Sequence, residues 1–194
     1  MKILFLGYNT KQTKLINFLK KKKISVIQKN QKILPKEAGK FDLIICFGYR
    51  KIITNKILKK VKRPIINLHM AYLPYNRGTH PNFWSFYEGT KGGVTIHEID
   101  KKIDTGPIIF QKELKYNIKK NKKMTFNQTY RATFLEMEKL FIKNYKSIIL
   151  NNYKTKKNYA SMGTYHQRKD LPKNIQSWNI SIFNYLNNQH KHPR

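Results

Sequence analysis

The chain has 194 residues, with 40 lysines and arginines against 10 aspartates and glutamates, for a formal charge of +30. Hydrophobic residues at 40% and aromatics at 13% exclude a disordered polymer and suit one domain with a substantial core. A single cysteine, Cys46, excludes a disulfide framework or a cysteine metal cluster, and no apolar run approaches the roughly 20 residues of a membrane span.

The opening run Ile3–Leu6 is continuously apolar, as a buried parallel strand requires. Asn9 or Thr10 in the following turn suits a helix N-cap, and Leu15, Ile16, Phe18 and Leu19 recur at helical spacing. Residues 24–27 read as a second strand and 41–48 as a longer, buried third. Apolar Ile52, Ile53, Ile57, Leu58 and Val61 predict a short helix over 51–61, and 64–69 reads as a fourth strand. Strand and helix in alternation predict an α/β fold, Rossmann-like, with a mostly parallel twisted sheet and helices on both faces.

Pro74, Gly78 and Pro81 then break regular structure in an ordered loop, with a short helix near 82–88. Two hairpin-like strands follow, Gly93–Ile99 and Pro107–Leu114, joined by DKKIDTG. Thr125 and Gln128 form a capping box for a long helix to about Leu150. Its stripe of Phe126, Tyr130, Phe134, Met137, Leu140, Phe141, Tyr145 and Ile148 is core rather than binding surface. From about 151 a short polar extension follows, whose helix-like WNISIFNYL docks on the core or on a second subunit. With no repeat and no linker, residues 1–194 read as one domain.

The lysines are scattered through every segment, the pattern of compositional bias rather than of a nucleic-acid-binding face. Such a field draws in small anionic substrates. MKILFLGY is too short in its apolar core for a signal peptide, so the expected location is the cytoplasm, without membrane attachment.

Ligands of such sheets bind beyond the carboxyl ends of the strands. Asn67 and His69 sit at the end of the fourth strand, on one face by the period of two. In a chain so poor in acids, Asp100 and Asp104 stand out in the loop after His97. No histidine, cysteine or acid cluster has metal-ligand spacing, so no metal is expected.

INLHMAYLPYNRGTHP followed by GVTIHEIDKKIDTGPII resembles the formyltransferases that use 10-formyltetrahydrofolate. The resemblance rests on Asn67-x-His69, Leu73-Pro74, Arg77-Gly78, Thr95-x-His97 and Asp104-Thr105-Gly106, in that order and spacing. It implies N-formyl transfer with Asn67, His69 and Asp104 as catalytic residues, and His97 in support. Asn67 would donate to the oxyanion of a tetrahedral intermediate. Asp104 would raise the His69 pKa, favouring a protonated donor, and relay the amine proton. His80 is a loop histidine in this reading.

The resemblance also implies a folate slot lined by Tyr49, Lys51, Ile52 and Ile53 after the third strand and by Asp100, Lys101 and Lys102. It implies a cis Leu73–Pro74 bond and a homodimer. Three acceptors compete. The loop Gly7-Tyr8-Asn9-Thr10-Lys11 lacks the serine and second glycine of the glycinamide ribonucleotide enzymes. The methionyl-tRNA enzymes carry an additional RNA-binding domain. The nearest resemblance is to enzymes that formylate a nucleotide-linked amino sugar, of the dTDP-4-amino-4,6-dideoxyglucose type. Asn9, Thr10, Lys11 and Arg77 would then hold the acceptor's phosphates, with backbone donors from a helix starting at Asn9. A basic RNA-binding module on the same fold is the alternative outside enzymes.

Overall fold

The computed structural model describes residues 1–191. Four parallel strands come first: β1 (Lys2–Gly7), β2 (Ser25–Lys29), β3 (Leu43–Phe47) and β4 (Ile66–His69). They alternate with α1 (Leu15–Lys21), α2 (Pro35–Ala38) and α3 (Asn55–Leu58). The short β5 (Arg77–Gly78) and α4 (Pro81–Tyr87) lead into the antiparallel pair β6 (Gly92–Glu98) and β7 (Ile108–Leu114). Then come α5 (Phe126–Ile149), β8 (Tyr165–His166) and α6 (Ile182–Lys191). The six-stranded sheet has the order β2-β1-β3-β4-β6-β7, and β5 pairs with β8 in a second, two-stranded sheet. No helix among the described residues is long and apolar enough to cross a membrane.

The two faces of the large sheet differ. One face, including Ile3, Phe5, Ile45, Phe47, Ile66, Leu68, Val94 and Ile96, is sealed by α1 and α5. On the other, Leu4, Leu6, Ile44 and Cys46 pack under the short α2 and α3. That second face changes character on β4 and β6. The antiparallel register sets Asn67 against His97 and His69 against Thr95, so four polar side chains follow where apolar ones ended. An irregularity between Ile96 and His97 breaks the β6–β7 ladder there, a device that re-aims side chains.

Several boundaries depart from the sequence expectations. The helix predicted over 51–61 is only Asn55–Leu58, because 48–54 runs as a loop off β3. α1 begins at Leu15, not at Asn9 or Thr10. Asn9 instead closes a turn: its carbonyl accepts from the Gln12 and Thr13 amides, and its side chain from Lys11 N at 2.9 Å. The capping box of α5 forms with both reciprocal hydrogen bonds. Of the two dockings open to the last helix, α6 takes its own core, placing Ile182 and Tyr185 among Phe83, Trp84 and Phe126.

Candidate active site

Asn67 and His69 sit at the end of β4, a strand with an apolar side chain at every other position. Asp104 is delivered by the β6–β7 loop and sits in the left-handed region at φ +53°, which aspartate tolerates better than most residues. Its carboxylate is held from three sides. Asn67 Nδ2 donates to Oδ1 at 3.1 Å, the Gly78 amide donates to Oδ2 at 2.9 Å, and His69 Nδ1 lies 3.7 Å from Oδ2.

His97, 1% exposed, completes the set. Its Nδ1 faces the Glu98 carbonyl at 2.7 Å, and a carbonyl only accepts, so Nδ1 carries the proton. Nε2 is then free to accept from Asn67 Nδ2 at 3.1 Å. Both amide hydrogens of Asn67 are thereby directed, one at Asp104 and one at His97. His97 is a support for the asparagine, not a second base.

Burial pulls the His69 imidazole below its ordinary value; the Asp104 charge opposes this and His97 adds to it. This corrects the expectation that Asp104 keeps His69 protonated. Sealing an imidazole from water costs its charged form more than a carboxylate at 3.7 Å returns. For Asp104, burial alone would raise the carboxyl, but His69 and His97 beside it and the Gly78 amide hold it well below the usual carboxylate range. Near neutral pH the pair is therefore an ionised carboxylate beside a neutral imidazole. A backbone hydrogen bond to Asn76 also opposes the effect of burial on His69, and its Nε2 is buried and makes no well-formed hydrogen bond.

The loop between β4 and β5 is pinned from the sheet. Thr95 Oγ1 donates to the Ala71 carbonyl at 2.7 Å and accepts from the Leu73 amide at 3.1 Å. Gln111 Nε2 donates to the Leu73 carbonyl at 2.7 Å. The Leu73–Pro74 bond is cis, as expected.

The polar segment after α5 contributes more than the sequence indicated. Asn158 Nδ2 donates to the carbonyls of Asp104 and Gly106, at 3.0 and 3.2 Å. The Arg77 amide donates to the Thr164 carbonyl, and β8 pairs with β5 beside the Gly78 amide that holds Asp104. His166 stacks on Trp84 at 3.8 Å, with Nε2 2.8 Å from Glu88 Oε1. Asn158 has no local sequence signal, since nothing periodic surrounds it. His166 lay in the GTYHQRKDL stretch, whose role only the β5–β8 ladder reveals.

The remaining predicted residues lie around this centre. Tyr49 is half-buried, donates to the Gln31 carbonyl at 3.0 Å, and packs with Ile53 and Ile99 on the second core cluster. Lys51, Lys101 and Lys102 are exposed, and Ile52 is 72% exposed. Asp100 accepts from Thr105 Oγ1 at 2.6 Å and from the Lys102 amide at 3.0 Å, so it caps the loop that carries Asp104. Asn9, Thr10 and Lys11 are exposed in their own turn, and the helix end expected to support them is absent. Arg77 sits one residue from Gly78, its guanidinium 5.8 Å from the Tyr165 ring. Among the described residues no group of histidine, cysteine or acid side chains could hold a metal.

A twisted sheet whose polar edge joins an amide, an imidazole and a carboxylate defines the class. The chain belongs to the formyl transferase family, whose model matches residues 2–141. It is similar to the formyltransferase PseJ from Anoxybacillus kamchatkensis, at 37% identity and a TM-score of 0.86 over 96% of this chain and 97% of that one. That protein was solved with UDP-4,6-dideoxy-4-formamido-L-AltNAc and tetrahydrofolate. A dTDP-4-amino-4,6-dideoxyglucose formyltransferase from Mycobacterium tuberculosis is 30% identical over 132 residues, 68% of this chain. A GDP-perosamine N-formyltransferase from Brucella abortus is 30% identical over 103 residues, 53% of this chain and 40% of that protein. The chain spans about half the length of the curated relatives it matches, 53% for the mycobacterial protein.

Proposed function

We propose that this chain is an N-formyltransferase that moves the formyl group of 10-formyltetrahydrofolate to the amine of a nucleotide-linked amino sugar. The observation that carries the reading is the Asn67–Asp104–His69 network, with its neutral imidazole and ionised carboxylate. The likeness to PseJ over nearly all of both chains supports the acceptor class.

In the transfer, the amine nitrogen bonds to the formyl carbon, and the bond from that carbon to the folate nitrogen breaks. One proton leaves the amine and one arrives at the folate nitrogen, so the step balances without a further reactant. Neutral His69 takes the amine proton at Nε2, and Asp104 stabilises the imidazolium formed. One Asn67 N–H turns from Asp104 to the developing oxyanion, while the other stays on His97 and fixes the amide. The loops at 49–53 and 100–104 serve the folate: Tyr49, Ile53 and Ile99 supply packed apolar surface, and Ile52 and Ile103 leave apolar surface exposed. Lys51, Asp100, Lys101 and Lys102 flank that surface through the backbone.

We read residues 1–194 as one catalytic domain working in the cytoplasm as a homodimer. Because the apolar side of α6 faces its own core, the dimer would use another surface; sedimentation showing a monomer at micromolar concentration would remove it. The function is tested by mixing the protein with 10-formyltetrahydrofolate and UDP- or dTDP-linked amino sugars and following tetrahydrofolate release. His69→Asn and Asp104→Asn are expected to lose about 100-fold or more in kcat, the size of a general-base contribution, with folate binding retained. Release only with glycinamide ribonucleotide or methionyl-tRNA would replace the acceptor, and no release with any amine would end the reading.

A further inference from the structure

The chain has only 10 acids, so the placement of each is informative. Glu37, Asp42, Glu113 and Glu136 pair with lysines. Glu88 is different: among the described residues its partners are a hydroxyl and an imidazole. It sits at the C-cap of α4, the end of a helix where the dipole disfavours an anion. Its side chain is only 22% exposed, which is costly for a carboxylate unless its oxygens are engaged. Both are. Thr164 Oγ1 donates to Oε2 at 2.8 Å. His166 Nε2 lies 2.8 Å from Oε1, within ion-pair reach but off the line of a well-formed hydrogen bond. The His166 ring is fixed as well, by its 3.8 Å stack on Trp84 at 8°.

Thr164 and His166 in turn hold the loop at the reacting centre. Thr164 Oγ1 accepts from the Asn76 amide at 3.2 Å, and the Thr164 carbonyl accepts from the Arg77 amide at 3.0 Å. The His166 carbonyl accepts from the Thr79 amide at 2.9 Å. Between these contacts lies Gly78, at φ +91°, where a Cβ would meet the His166 carbonyl oxygen at 2.2 Å. Its amide is the one that donates to Asp104 at 2.9 Å, and the Asn76 backbone makes the hydrogen bond to His69. Asn76 is fully buried at φ +56°, with Nδ2 donating to Thr90 Oγ1 at 2.8 Å. A left-handed residue other than glycine keeps that conformation only where its surroundings dictate it. Glu88 therefore reaches His69 through two residues, Thr164 and Asn76, and reaches Asp104 through the ladder that fixes Gly78.

Resting on the formyl transfer proposed above, we infer that Glu88 is a positioning residue for that reaction: it clips the 164–166 segment to the 76–79 loop and so sets the two backbone groups against which Asp104 and His69 are held. The segment beyond residue 141, outside the family match, is in this way part of the site.

Tetrahydrofolate release with a UDP-linked amino sugar, together with the His69 titration by NMR, tests it on the full chain with Glu88→Ala, Glu88→Gln and Thr164→Val. Glu88→Ala and Thr164→Val are expected to lower kcat about tenfold or more, with KM for 10-formyltetrahydrofolate within about twofold of wild type. His69 should also titrate at lower pH in both, because the Asp104 charge and the Asn76 hydrogen bond that favour its protonated form are loosened. Glu88→Gln keeps an oxygen for the Thr164 hydroxyl and should recover most of both effects. Glu113→Gln, which removes an acid paired with Lys91 and Lys115, controls for the lost charge and should leave both readouts unchanged. Should Glu88→Ala fail to fold, Thr164→Val decides alone, since it removes one hydroxyl at nearly constant shape. An unmoved His69 titration or an unchanged kcat in Thr164→Val overturns the clip while leaving formyl transfer standing. A wild-type chain that releases no tetrahydrofolate with any amine overturns the transfer and its positioning residue together.

Discussion

Asp104 is fixed twice over, once through its carboxylate and once through its backbone. Asn67 and Gly78 hold the oxygens, while Asn158 gathers the carbonyls of Asp104 and Gly106. Gly106 has no room for a side chain, since a Cβ there would meet the Glu98 carbonyl oxygen at 1.9 Å. A left-handed, non-glycine residue keeps its geometry only when its surroundings over-determine it. Asn158 is therefore a positioning residue. Asn158→Ala should lower kcat about tenfold or more, while the fold and folate binding persist. The readout specific to positioning is the His69 titration. With Asp104 loosened, the one charge that opposes burial weakens, and the His69 pKa should fall further. Gln at 158 should restore part of both. Unchanged kcat together with an unchanged His69 titration by NMR would remove Asn158 from the site.

At the scale of elements, the chain solves the start of α1 at a distance. Glu138 of α5, 3% exposed, accepts from Thr13 Oγ1 at 2.7 Å and from the Lys14 amide at 2.9 Å. It serves as the cap that Asn9 was expected to provide. Glu138→Ala strands the Thr13 hydroxyl and a helix-end amide, and should cost about 2–4 kcal/mol in urea unfolding. Glu138→Gln keeps an oxygen acceptor and should cost less. A loss under about 0.5 kcal/mol for the alanine variant would show that water replaces the carboxylate. This cap also marks what the sequence could convey. The strands, the hairpin and the α5 capping box were legible because their signals are local: periods of two and 3.6, and reciprocal side chains three residues apart. Asn67, His69 and Asp104 were legible because they sit in dense motifs at strand ends. Glu138, Asn158 and the β5–β8 ladder were not, because their partners lie between 52 and 125 residues away in the chain or in a segment without periodicity. The His69 charge state was misjudged for a related reason: a neighbour can be read from spacing, but burial cannot.

Across the whole molecule, the sheet divides stability from chemistry. The face under α1 and α5 buries large apolar side chains, and the opposite face carries the imidazoles and carboxylate where it reaches β4 and β6. Acid should therefore destabilise the fold in two separate windows. The folded His69 pKa lies below its unfolded value of about 6.5, so the unfolded chain takes up a proton that the folded one resists. Stability present above about pH 6.5 is lost as the pH falls toward the folded value. His80, lowered by burial and by Arg168 and Arg50, adds to the same window. The Asp104 carboxyl is also depressed on folding, but its contribution is present above about pH 4 and disappears only below that. His69→Asn removes the His69 part of the first window and, because His69 helps hold Asp104 low, also narrows the second. Urea unfolding at about pH 7.5, 5.5 and 3.5 separates them. The wild type should weaken at the first step more than His69→Asn does. Parallel losses in both proteins between 7.5 and 5.5 would mean that His69 is charged in the folded state, and a protonated donor at the site would return.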